Sequence, residues 1–322
     1  MEDDLKEVSQ RLAAWYVENK RALPWRGSRD PYVIWLSEVI MQQTRIEQGT
    51  PYFLKFLKQF PDVHQLAKAD QDSVLKAWEG LGYYSRARNM HKAAKMVSEE
   101  MNGTFPSDQK GLLTLPGVGK YIASAIASIC YDEPTPVVDG NVYRFLSRLL
   151  LIGTEINSTK AYNEFSAIGS QLLKGHEPGL INQAMMEYGA RVCTYKKPSC
   201  DTCIYSDVCG ALKTNRIDSL PVKRKKKASV NRYINYHVIL HEEHTYINKR
   251  GEGDVWQGLH EFYGVEQALA EEPLMDMKKR TLLAVRDAKH ILSHQNIYAR
   301  FFVIESTSAP KSAKGMMKVK TA

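Results

Sequence analysis

The apolar positions of this chain change their period part-way along its length. Before residue 220 they recur at helical spacing, as in Val74-Leu75-Ala77-Trp78 followed by Leu81. Residues three and four apart share one helix face, so such segments predict helices packed on a core. Beyond residue 230 the apolar residues alternate, in Tyr233-Ile234-Asn235-Tyr236-His237-Val238-Ile239-Leu240 and again in Ile297-Tyr298-Ala299-Arg300-Phe301-Phe302-Val303. Alternation is the pattern of strands. Between the two regimes, Pro221-Val222-Lys223-Arg224-Lys225-Lys226-Lys227-Ala228-Ser229 holds five consecutive cations, which would repel one another in any packed element. The pattern therefore predicts a mainly α domain over residues 1–215, a basic linker over 216–229 and a smaller α+β domain over 230–305. The Lys/Ser/Ala-rich end, 306–322, is expected to be a disordered tail.

Composition narrows this picture only slightly. With 322 residues and 43% hydrophobic content, the chain can build ordinary cores in about two domains. No apolar stretch reaches the roughly 18 residues of a membrane span. With no signal peptide either, a cytoplasmic protein is expected, nucleoid-associated if bacterial. Lysine and arginine number 44 against 36 acidic residues, a formal charge of +8, which favours a polyanionic partner without identifying one.

Candidate chemistry changes the picture more. Cys193, Cys200, Cys203 and Cys209 are separated by six, two and five residues, a compact set of soft thiolate donors. Such a set suits zinc or an iron–sulfur cluster, while two disulfides in so short a span would suit a small secreted domain. Earlier in the chain, Leu112-Leu113-Thr114-Leu115-Pro116-Gly117-Val118-Gly119-Lys120-Tyr121 leads into a helix-like apolar run. Proline ends one helix and the glycines permit a tight turn. That turn, Gly117-Val118-Gly119, can present backbone N–H groups to a phosphate at the positive end of the next helix.

This turn resembles the helix-hairpin-helix of DNA base-excision glycosylases. Further segments make the resemblance specific: Leu23-Pro24-Trp25-Arg26, Trp35-Leu36-Ser37-Glu38-Val39-Ile40-Met41-Gln42-Gln43-Thr44, and Trp78-Glu79-Gly80-Leu81-Gly82-Tyr83-Tyr84-Ser85-Arg86-Ala87-Arg88. Val138-Asp139-Gly140-Asn141-Val142-Tyr143-Arg144 and Asn182-Gln183-Ala184-Met185-Met186-Glu187-Tyr188-Gly189-Ala190 carry it into the cysteine set. Together they are similar to the MutY family of adenine DNA glycosylases over nearly all of residues 11–210. The resemblance implies a helix-hairpin-helix fold with its active site between two lobes and a 4Fe–4S cluster on the cysteine loop, 193–209. It further implies removal of adenine mispaired with 8-oxoguanine, or with guanine, from double-stranded DNA, and a monomeric protein.

The residues make chemical sense of that reaction. Cleaving an adenine N-glycosidic bond calls for an acid at the base and a negative charge at the sugar, so two carboxyls in different environments are needed. Glu38 is the expected acid, because Ile34, Trp35 and Met41 surround it on its own helix and would raise its pKa by desolvation. Asp139 is by resemblance the carboxylate facing the oxocarbenium-like sugar, with Asn141 orienting the sugar or the attacking water. Bifunctional relatives place a lysine where this chain has Tyr121, and a phenol cannot form an imine, so a monofunctional enzyme is expected, with weak adventitious cleavage through Lys120 left open. Family correspondence puts Trp25, Arg26 and Gln183 around the extruded adenine. It makes Gln43 and Tyr83 wedges in the duplex, with Thr44 beside them.

The second domain resembles the family's Nudix-like lesion reader, whose contacts would be Ser293 and His294; Leu292 stands where many relatives have Phe. Two alternatives remain at this point: a related T/G mismatch glycosylase, and a catalytically silent, cluster-containing binder of damaged DNA.

Overall fold

The computed structural model describes residues 2–223, 229–292, 294–309 and 315–321. The chain divides into two compact units, Met1–Arg224 and Lys225–Ala322.

The first unit is helical: α1 (Glu2–Asn19), α2 (Pro31–Met41), α3 (Ile46–Gln59), α4 (Val63–Lys68), α5 (Gln71–Ala77), α6 (Ser85–Lys95), α7 (Gln109–Leu112), α8 (Lys120–Tyr131), α9 (Gly140–Leu149), α10 (Thr159–Leu172), α11 (Pro178–Arg191) and α12 (Gly210–Lys213). Helices α2 to α8 build one lobe around Trp35, Phe53, Phe56 and Trp78, all fully buried. The second lobe packs α1 against α10 and α11, and α9 against α11, around Leu12, Phe145, Phe165 and Tyr188. Local chemistry sets the helix starts that matter for the site. Asp30 caps α2 by accepting from Tyr32 N at 2.8 Å, with Pro31 in the first turn. Asp139 caps α9, accepting from Asn141 N at 2.9 Å and Val142 N at 2.7 Å.

Two glycines fix how these helices meet. Gly117 adopts φ +77°, and a Cβ there would lie 2.7 Å from Asn89 Cβ, so the hairpin between α7 and α8 admits no side chain at this point. A Cβ on Gly189 would sit 2.6 Å from the Asn141 carbonyl oxygen. Glycine is what lets α11 cross the start of α9.

The expected linker is shorter than predicted. Leu220 is 1% exposed, Arg148 Nε donates to the carbonyls of Ile217 and Leu220 at 3.0 and 3.1 Å, and Ile156 N donates to Val222 O at 3.0 Å. Residues 217–222 thus belong to the helical unit, because their apolar side chains find a core and a buried guanidinium holds their carbonyls.

The second unit is a mixed sheet of β1 (Val230–Leu240), β2 (His244–Lys249), β3 (His260–Glu266), β4 (Arg280–Ile291), β5 (Gln295–Ser306) and β6 (Met317–Lys320). Its order is β4-β5-β1-β3-β2-β6, with β1 and β5 parallel and the other pairs antiparallel. Ile234, Tyr236, Ile297 and Ala299 form its main core, and Leu292 packs against them.

Two expectations fail here. The domain was expected to be α+β, yet its described residues contain no helix. The stretch after β3 is tied down as irregular chain instead: Asn235 Oδ1 accepts from Ala270 N and His237 Nε2 from Leu274 N, both at 2.9 Å. The tail was expected to be disordered, yet residues 317–320 pair with β2, Thr245 facing Val319 and His244 facing Lys320. Main-chain pairing is indifferent to a lysine-rich composition, and Met316 adds apolar contact with the cluster of Ile239 and Tyr246.

Candidate active site

A cavity of about 460 Å³ opens in the helical unit, lined by Met41, Gln42, Gln43, Tyr83, Ser85, Arg86, Tyr121, Asp139 and Asn141. Residues from both lobes meet here. The hydroxyl of the lining residue Tyr121 donates to Glu38 Oε2 at 2.5 Å and lies 3.6 Å from Met186 Sδ. Glu38 has protein on most sides, and burial pushes its carboxyl up to about 7. The bond from Tyr121 works against that rise, Asp139's charge adds to it, and Arg26 opposes it.

Asp139 is also pushed up by burial, but three donors act on it in the opposite sense. Besides the two backbone N–H groups at the start of α9, Asn141 Nδ2 reaches its second oxygen at 2.7 Å. Asn141 is held in turn: its Oδ1 accepts from Arg144 Nη2 at 2.8 Å, and Arg144 also donates to the Cys193 carbonyl at 2.6 Å. The site therefore holds two carboxyls of different character. One is desolvated with a single phenol donor, and the other sits on a helix N-terminus where anions are favoured.

Gln43 and Tyr83 guard the mouth from separate loops, with positive φ values of 56° and 47°. Tyr83 is 46% exposed. A left-handed backbone at a residue other than glycine costs of order 1 kcal/mol or more and concentrates at functional sites. Thr44 follows with its Oγ1 donating to Gln42 O at 3.3 Å.

Residues 36–170 match the HhH-GPD superfamily of base excision DNA repair proteins. The chain is 31% identical over 294 residues to the adenine DNA glycosylase of Buchnera aphidicola subsp. Schizaphis graminum (strain Sg), covering 91% of this chain and 84% of that protein. It is 41% identical over 220 residues to the adenine DNA glycosylase of Homo sapiens, covering 65% of this chain and 40% of that protein.

The chain belongs to the MutY family of adenine DNA glycosylases. A solved structure of a thermostable thymine-DNA glycosylase shares its helical fold, with a TM-score of 0.59 at 24% identity, covering 66% of this chain and 98% of that one.

Other positions expected from the MutY resemblance fall outside the main cavity. Arg26 and Gln183 line a neighbouring one of about 220 Å³ with Tyr16, Lys20, Arg29 and Asp132. Gln183 Oε1 accepts from Tyr16 OH at 3.2 Å, and its Nε2 donates to Gly179 O at 3.1 Å. Arg26 donates to Tyr16 OH and pairs with Glu187 at 3.1 Å. Burial alone would raise Glu187, but the bond from Arg21 and the charges of Arg26 and Arg21 hold it below its ordinary range. Trp25 lines neither cavity; it is 7% exposed and packs edge-on against Phe53 at 5.1 Å.

In the hairpin, Val118 is buried and its N–H donates to Leu115 O at 3.1 Å, so it turns inward and leaves the glycines facing out. Lys120 Nζ rests 4.0 Å from the centre of the Tyr162 ring. His294 lies in the turn between β4 and β5, where its carbonyl accepts from Val230 N at 3.2 Å. Ser293 lies outside the described residues.

Cys193, Cys200, Cys203 and Cys209 converge on one cavity walled by Val192, Pro198, Leu212 and Ile217, and none is in a disulfide. Among the described residues, no group of three or more His, Cys, Asp or Glu side chains is arranged to hold a metal ion.

The sequence reading missed Arg86, Arg144 and Glu187. All three lie in segments that carry the resemblance, but their partners are mostly backbone carbonyls or residues distant in the chain.

Proposed function

We propose that this protein is a monofunctional glycosylase that removes adenine mispaired with 8-oxoguanine, or with guanine, from double-stranded DNA. The observation that carries this reading is the placing of two carboxyls at one cavity: Asp139 lines it, bonded to Asn141, and Glu38 is bonded to Tyr121, which lines it too. Pushed up to about 7, the Glu38 carboxyl is protonated in about half of the molecules at neutral pH and can give that proton to the leaving base. Asp139 opposes the positive charge that develops on the sugar, and Asn141 orients the sugar or the water that attacks it. Adenine must leave the stack first, which costs a few kcal/mol and least at a mismatch. Gln43 and Tyr83, which line the cavity, fill the space it leaves. Tyr121 stands where a bifunctional relative has lysine and cannot form an imine, while Lys120 is occupied with Tyr162.

The four cysteines fit a 4Fe–4S cluster. They are soft donors, none is oxidised to a disulfide, and they surround an apolar cavity rather than a single point. Cys193, Cys200, Cys203 and Cys209 would hold it, and when bound it supplies a structural anchor rather than hydrolytic chemistry. Cys200→Ser should lower iron and sulfide content together with the visible absorption band. Active protein carrying zinc and no iron would overturn this assignment.

The sheet unit is assigned the Nudix-like role of reading 8-oxoguanine on the opposite strand, through Ser293 and His294. The protein acts as a monomer in the cytoplasm, on nucleoid DNA if it is bacterial. Among the described residues, no helix is long and apolar enough to cross a membrane.

Single-turnover assays on matched duplexes, with A or T opposite guanine and 8-oxoguanine, followed by alkali to cut abasic sites, test the reading. Cleavage only after alkali, at A and not at T, is expected. Preferred cleavage at T, or none anywhere, would contradict it.

A further inference from the structure

Arg86 has no place in the chemistry above, yet it borders the same cavity. Its guanidinium is half-buried and points at backbone carbonyls. Nη1 donates to Val39 O at 3.0 Å, Ile40 O at 3.1 Å and Gln42 O at 2.6 Å. Nη2 donates to Leu81 O and Gly82 O, both at 3.2 Å. The plane lies over Trp78, 4.9 Å from the ring centre, and 5.9 Å from that of Tyr83. Burial lowers its pKa to about 10, so it is charged at neutral pH.

Each group of carbonyls has a reason to need a donor. Val39, Ile40 and Gln42 lie at the C-terminal end of α2, where the last carbonyls lack partners within the helix and the dipole is negative. Thr44 N takes the remaining one, Met41 O, at 3.2 Å. Leu81 and Gly82 are the two residues before Tyr83. The guanidinium fork thus ties together the segment that ends at Gln43 and the segment that ends at Tyr83, the two strained residues at the mouth of the site.

We propose that Arg86 is a positioning residue which clamps the Gln43 and Tyr83 loops into one rigid wedge, so that the pair acts together when a base is drawn out of the duplex. The proposal rests on the adenine-glycosylase reading above. The two Nη groups of a planar fork, with four N–H shared among the five carbonyls, can span both segments, whereas the single ammonium of lysine cannot.

The test uses full-length protein carrying Glu38→Gln, which is expected to bind DNA without excising. The duplex carries 2-aminopurine at the target position opposite 8-oxoguanine, and its fluorescence rises when that base leaves the stack. Adding Arg86→Lys should slow the rise by about tenfold to a hundredfold, the usual cost of a misplaced group, with little change in melting temperature. Tyr83→Ala should slow it similarly. The Arg86→Lys, Tyr83→Ala combination should be no slower than Tyr83→Ala alone, because Arg86 acts through Tyr83. With Arg86 untouched, Gln43→Ala and Tyr83→Ala together should cost less than the product of their separate effects, a result that does not depend on how well the Arg86→Lys protein folds. An unchanged rise in Arg86→Lys, or separate effects that multiply, would overturn the clamp while wild-type excision of adenine from the parent duplex still stood. Wild-type protein that excises no adenine would instead overturn the functional reading, and the clamp's role with it.

Discussion

The two walls of the candidate site hold a carboxyl in different ways. Behind one wall, Glu38 lies in the interior of α2 among apolar neighbours, with Tyr121 donating to Oε2. On the other, Asp139 caps α9 and accepts from two backbone N–H groups and Asn141. Burial pushes Glu38 up to about 7 and pushes Asp139 upward as well. The difference lies in what opposes burial: one phenol in a helix interior, against two backbone N–H groups and an amide at a helix N-terminus.

Glu38→Gln attacks the first wall and should have the largest effect. It keeps shape and removes the proton, so single-turnover excision should fall by roughly 10²–10⁴-fold, the usual contribution of general acid catalysis. Retained excision would end the acid assignment. The same substitution should raise stability at alkaline pH. Below 4.5, the ordinary value, Glu38 is protonated folded and unfolded alike; between 4.5 and about 7 only the unfolded chain releases the proton. The native state is therefore penalised progressively as pH rises to about 7, and by a constant amount above it. Thermal melts of both proteins at pH 5 and pH 8 check this, with the Gln variant gaining only at the higher pH.

Asp139→Asn attacks the second wall. Asparagine is also a good N-cap, so folding should survive while excision falls by about 10²–10³-fold, the scale of one lost electrostatic stabiliser. Equal losses of stability and activity would show that Asp139 serves only as a cap.

Much of this arrangement was legible in the sequence. Helical periodicity gave way to alternation where the helical unit ends, the hairpin glycines fall between α7 and α8, and Glu38 lies on α2 among the apolar neighbours read around it. What was not legible rests on main-chain bonding or on partners distant in sequence. Arg86 and Arg144 act on carbonyls, which every residue carries, so no side-chain pattern announces them. Strand β6 forms in a stretch read as disordered because pairing with β2 uses the backbone, and the anticipated helix of the sheet unit gives way to chain held by Asn235 and His237. Residues 217–222 were read into the linker because the run of cations beside them outweighed their own apolar character.

Smaller effects sharpen the comparison further. Deleting residues 230–322 should lower the preference for A opposite 8-oxoguanine over A opposite guanine by roughly tenfold, the value of about one base-edge contact, while both carboxyls and adenine excision remain. An unchanged preference would place lesion reading in the helical unit, near Thr44. Tyr121→Phe should have the mildest outcome. The phenol favours the ionised form of Glu38, so losing it should move the alkaline limb of the pH–rate profile to higher pH. A limb that moves to lower pH would mean that the phenol favours the protonated form instead.

The central claim, that Glu38 is held as an acid at neutral pH, can be read without any turnover. Protein labelled with ¹³C at glutamate carboxyls, compared with Glu38→Gln to assign the resonance, should show Glu38 titrating near 7, well above the ordinary carboxyl value of 4.5. A Glu38 resonance that titrates at or below that ordinary value would contradict the account.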